Sequence, residues 1–135
     1  RAPGELTPAQ QVPHVDTTDP LQFAILHYLC GPEHGGTAFY RHRATGFETL
    51  RDERMPAYEQ ARRLERPTSQ ASPRYITGDT EHYERIGLVE ARFNRLAVYR
   101  SHLLHSGLIP PDRPLSDDPR TGRLTANIFV NYRQR

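Results

Sequence analysis

Apolar residues in this chain fall in short runs closed off by proline or glycine, and this pattern limits the fold more than any other feature. Residues 22–30, QFAILHYLC, are apolar on both faces and stand between Pro20 and Gly31-Pro32. A run this short with breakers at both ends reads as a buried strand. Gly35-Gly36 then turns the chain into TAFYRH, 37–42, a second strand. Strand character returns at 95–101, RLAVYRS, and at 123–130, RLTANIFV. Between the two pairs, residues 43–92 are charged and rich in Arg and Glu. Pro56 can open a helix over 56–66, with Tyr58, Ala61 and Leu64 at spacings of three and four. Asp79 or Thr80 can cap a second short helix over 79–90 that carries Tyr83, Ile86 and Val89. Strands on both sides of a helical insert predict a mainly β barrel or sandwich with helices added, not alternating βαβ units.

The last strand predicts where a site would lie. Arg123, Thr125, Asn127 and Phe129 share one face, and Leu124, Ala126, Ile128 and Val130 the other. If the polar face lines a site, the apolar face needs a cover, for which the two helices are the candidates within the chain. At 135 residues the whole of 1–135 is expected to be one domain, with 43–92 as its insertion. No apolar run is long enough to span a bilayer, and the Pro- and Gln-rich start has no signal-like apolar core. The lone Cys30 excludes an internal disulfide and fits a reducing compartment, so a cytoplasmic location and no membrane partner are expected. All 18 basic residues are arginine, yet the net charge is only +2 and acidic residues are interspersed throughout. Nucleic-acid binding, with the steep salt dependence it brings, is therefore the weakest reading.

One short stretch carries chemistry. In QVPHVDTTDP, residues 11–20, His14 and Asp16 are two apart, so in extended backbone an imidazole and a carboxylate point the same way. That is half of a metal site. After it come, in order, Tyr28-Leu29 ending a strand, Gly35-Gly36 with Phe39, FNRLAVYRSHLLHSG at 93–107 and GRLTANIF at 122–129. Taken together over 14–132, these landmarks resemble the Fe(II)/2-oxoglutarate-dependent oxygenases of the prolyl-4-hydroxylase-like branch. The helical insert suggests an uncharacterised bacterial subfamily of them.

That resemblance implies a double-stranded β-helix, a jelly roll of the cupin kind, with a helical insertion. The family's first core strand should precede His14, and the Pro-rich start hardly supplies it, so its N-terminal part is expected to lie outside this chain. Arg1 at the start and a lone Met at position 55 fit the same expectation. The resemblance also implies Fe(II) held by His14, Asp16 and His105. Such a two-histidine, one-carboxylate triad occupies adjacent positions on the ion and leaves the others open. The co-substrate is then 2-oxoglutarate, consumed with O₂ in hydroxylating a peptidyl or small-molecule substrate. Arg123 matches the family's cation for the far carboxylate, where a planar fork serves better than an ammonium. Thr125 would add a hydroxyl on the same face, and Tyr28 matches a tyrosine that often bonds the same carboxylate. An aromatic ending a buried strand is core as readily as ligand contact, so Tyr28 stays open between the two.

Rivals exist at two positions. His102 precedes His105 by three residues, but the Ser-Gly after His105 is the family's context. Arg120 competes with Arg123 but falls in the turn DPRTG. His27 reads as a packed strand histidine; His34, His42 and His82 read as surface or supporting residues. Against the oxygenase stands a reading of another class, a non-catalytic jelly-roll module that binds a partner. O₂-dependent succinate release separates them.

Overall fold

The structure, a computed structural model, describes residues 12–65, 78–110 and 116–135. Residues 1–11 of the irregular lead-in read over 1–13, 66–77 of the loop read over 66–78, and 111–115 of the loop read over 106–122 lie outside the described residues. The chain is mainly β: six strands form two antiparallel three-stranded sheets, accompanied by one short helix among the described residues. β1 (Gln22–Tyr28) is the central strand of the first sheet, between β4 (Leu96–Arg100) and β6 (Thr125–Asn131). β2 (Thr37–His42) is central in the second, between β3 (Tyr83–Val89) and β5 (His105–Gly107). Pro20 and Gly31-Pro32 bound β1 as the breakers predict, and four of the six strands fall where the apolar runs are.

The sheets face each other, and in β1 burial follows the period of two, with Ala24, Leu26 and Tyr28 buried. In the first sheet the rows Ala24, Tyr99 and Phe129, then Leu26, Ala97 and Asn127, are matched across the three strands. Tyr28, Leu26, Cys30, Ala91 and Ala97 form one buried cluster; Tyr40, Leu50, Tyr83, Leu104 and Ala38 form another. The sheets are joined by the Tyr28 and Thr37 hydroxyls at 2.6 Å and by the edge-on rings of Phe39 and Tyr99, 5.2 Å apart.

Two expectations are corrected. The second helix, over 79–90, is absent; its place is taken by β3, paired with β2 from His42↔Tyr83 to Thr37↔Val89. Thr80 and Asp79 are helix-start residues by type, but their side chains accept the amides of Tyr83 and Arg85 at 3.1 and 2.8 Å and shape the entry to the strand instead. Gly87 and the β-branched Ile86 and Val89 weaken a helix, and the unpaired edge of β2 offers a full ladder, so the strand wins. Among the described residues, 43–92 therefore hold one α-helix and one strand, not a purely helical insertion.

The second correction concerns the cover over β6. Helix α1 (Met55–Leu64) forms where Pro56 predicts, but it packs on the second sheet through Met55 and Tyr58. No helix among the described residues covers the outer face of the first sheet, where Ile128 is 55 % and Val98 62 % exposed. Among the described residues no helix is long and apolar enough to cross a membrane.

Candidate metal centre

The segment before β1 is extended, and its side chains alternate. Pro13 is fully buried and Val15 packs on the second cluster, so His14 and Asp16 project together to the other side. The backbone fixes this segment against β5: His14 N–H donates to His105 O at 2.9 Å, and His105 N–H donates to His14 O at 3.0 Å. The Asp16 amide donates to Ser101 O at 3.0 Å. The two imidazoles consequently meet with ring centroids 4.7 Å apart, and His105 Nε2 lies 3.5 Å from Asp16 Oδ2. The three side chains each offer a ligand atom, all within 4.8 Å of one another, and together they can hold a metal ion.

The protonation of His105 suits that role. Its Nδ1 is 2.7 Å from Leu103 O, which can only accept, so Nδ1 carries the hydrogen and Nε2 is left with its lone pair toward Asp16 and His14. Burial holds the His105 pKa below the ordinary value, with His14 pushing the same way against the Leu103 bond and Asp16. A neutral imidazole with one nitrogen anchored is the form that ligates.

A cavity of about 200 Å³ opens on this group. Besides the three ligating residues it is lined by Tyr99, Arg123, Thr125, Asn127 and Phe129, so the polar face of β6 faces the site as its alternation predicts. The Arg123 guanidinium is fixed by main chain: Nε donates to Gly35 O and Nη2 to Gly36 O, each at 3.1 Å. It also lies over the Tyr28 ring, 5.8 Å from the centroid. Gly35 has φ +80°, and a Cβ on Gly36 would lie 1.9 Å from Val89 O. Only glycines bring these carbonyls to the Arg123 fork.

The remaining sequence candidates divide clearly. Tyr28 is fully buried, its hydroxyl is engaged by Thr37, and it does not line the cavity; it supports Arg123 from beneath. His102 is buried but stands apart from the ligating group, with its carbonyl taken by the Leu50 amide. Arg120 is turned to solvent and pairs with Asp118. His27 contacts Asn94 at 2.8 Å, and His34 lies 3.5 Å from Glu33. Of the two readings given for His42, the surface one is overturned: it is completely buried between Thr45 and Glu65, because α1 docks on its strand end. Sequence reasoning missed Tyr99. Its ring lies 5.0 Å from that of His105, and the signal was present in RLAVYR, where Ala97 and Tyr99 share the inward side opposite Leu96 and Val98.

Compared with known proteins, the chain matches over residues 1–130 the model of a family of unknown function, DUF6445. No curated protein and no solved structure matches it.

Proposed function

The chain belongs to this family, and we propose that it is an Fe(II)- and 2-oxoglutarate-dependent oxygenase built on a jelly roll, hydroxylating a peptidyl or small-molecule substrate. The observation that carries the reading is the meeting of His14, Asp16 and His105, far apart in sequence, at a cavity that also presents an anchored arginine. The winding supports it too: β1 lies in one sheet, β2 and β3 in the other, β4 returns, β5 crosses and β6 returns again.

The donor set of two imidazoles and a carboxylate fits Fe(II), and it leaves positions for small ligands. With 2-oxoglutarate and O₂, that ion would supply the oxidising chemistry. The chain's own residues bind and orient. Among the described residues Arg123 keeps Nη1 free after its two main-chain bonds, available to receive a carboxylate, and Thr125 on the same face adds a hydroxyl. His105 is held in its ligating tautomer by Leu103. The cavity takes a small acid, not a bulky one, which puts the main substrate at the rim, near Phe129.

Anaerobic titration with Fe(II) and then 2-oxoglutarate should produce the weak visible charge-transfer band of the ternary complex, and O₂ should release succinate. Folded protein that binds neither ligand would falsify the reading. Binding without succinate under any substrate would favour the non-catalytic module.

A further inference from the structure

Tyr99 enters the cavity from β4, the strand on the far side of β1 from Arg123 and Thr125. Its ring is locked by two aromatic neighbours on the opposite sheet, Phe39 at 5.2 Å and His105 at 5.0 Å between centroids. The ring is therefore fixed, and so is the direction of the hydroxyl. That hydroxyl has no hydrogen-bond partner among the described residues, and Tyr99 lines the same cavity as Asp16 and Arg123. A phenol with a fixed ring in a half-enclosed cavity, with its donor unused, is an incomplete interaction.

A phenol whose O–H is unused suits an acceptor that is itself negative.

We propose that Tyr99 is a ligand-binding residue whose O–H donates a hydrogen bond to an anionic oxygen of the acid held between the metal group and Arg123. This rests on the oxygenase reading, in which that acid is 2-oxoglutarate. The phenol then works beside Arg123 and Thr125, and Tyr28, its hydroxyl already engaged, takes no part in the contact.

The test is an anaerobic titration of Fe(II)-loaded wild type, Tyr99→Phe and Arg123→Gln with 2-oxoglutarate, followed by the visible band and independently by calorimetry. Tyr99→Phe keeps both ring contacts and removes only the hydroxyl. It should bind Fe(II) with an unchanged Kd, keep its thermal midpoint, and bind 2-oxoglutarate at least about tenfold more weakly, as expected for loss of a hydrogen bond to a charged group. A wild-type Kd for 2-oxoglutarate in Tyr99→Phe, with binding lost in Arg123→Gln, overturns this inference and leaves the oxygenase reading intact. Failure of the wild type to bind 2-oxoglutarate overturns both. If Tyr99→Phe loses its cooperative unfolding transition, the hydroxyl serves the fold and the inference falls.

Discussion

His14 and His105 are bonded to each other through their main chains in both directions, at 2.9 and 3.0 Å, so the candidate metal group is brought together by backbone. The ligating atoms are left free of that backbone pairing. Asp16 shows the same division: its amide bonds Ser101 O, and its carboxylate faces the histidines.

Replacing Asp16 with Ala should therefore separate binding from folding. The amide bond to Ser101 survives the substitution, so the metal-free thermal midpoint should stay close to that of the wild type. Metal affinity should fall by more than about 100-fold, beyond the loss typical of a supporting residue. Metal content after gel filtration and a thermal melt of the metal-free protein check the two halves. A large fall in the midpoint would show that the carboxylate holds the fold.

Metal should also stabilise the wild type. The group ties residues 14–16 to β5, an arrangement that the unfolded chain lacks. At a free ion concentration about 100 times Kd, the gain should be about 2.7 kcal/mol, and a chelator should reverse it. Denaturant titrations with and without the ion measure it, and the Asp16→Ala variant should show almost none.

A third expectation concerns Gly36. A Cβ there would meet Val89 O at 1.9 Å and Ala91 N at 2.9 Å, both backbone atoms that cannot swing away. Gly36→Ala should force β2 from the end of β3 and cost about 1–3 kcal/mol. Because the Gly36 carbonyl also receives Arg123 Nη2, 2-oxoglutarate affinity should fall with it while metal affinity stays. Chemical denaturation and the two ligand titrations read these effects.

Much of this site is legible before any coordinates. The H-x-D spacing puts His14 and Asp16 on one side because alternation is local, and the alternation of 123–130 puts Arg123 and Thr125 on the cavity side for the same reason. What could not be read is where partners come from. Residues 83–89 carry helix-like spacing, and only the waiting edge of β2 makes them a strand. His42 reads as a strand-end histidine until α1 folds back and brings Glu65 to it. Tyr99 gains its meaning from Phe39 and His105, which lie on the other sheet.

The His42 contact carries a prediction of its own. Glu65, just past the end of α1, takes His42 Nε2 on one oxygen and Arg62 Nη1 on the other, at 2.6 Å for the latter. It ties the helix end to the second sheet, beside the Tyr58–Tyr83 hydroxyl contact at 2.6 Å. Glu65→Ala leaves the Nε2 of a fully buried imidazole without its partner and should cost about 1–3 kcal/mol. Helix signal in circular dichroism should fall with stability, while metal binding at the distant group persists in the folded fraction.

Acid sensitivity should trace in part to His102. The residue is 2 % exposed and its Nδ1 has no partner among the described residues. Burial lowers its pKa below the ordinary 6.5, the charges of Arg51, Arg100 and Arg54 push the same way, and Asp19 opposes them weakly. In the unfolded chain the same ring protonates near 6.5, so below that pH the unfolded state binds more protons than the folded one. The stability attributable to a neutral His102 is thus complete above 6.5 and is lost as the pH falls through the lower folded value. His102→Gln removes the titrating ring. Measured on metal-free protein from about pH 7.5 to about pH 5.5, its urea midpoint should decline less steeply than that of the wild type. Parallel declines would mean that the ring is protonated as readily in the folded state as in the unfolded one, and that its burial has no part in acid unfolding.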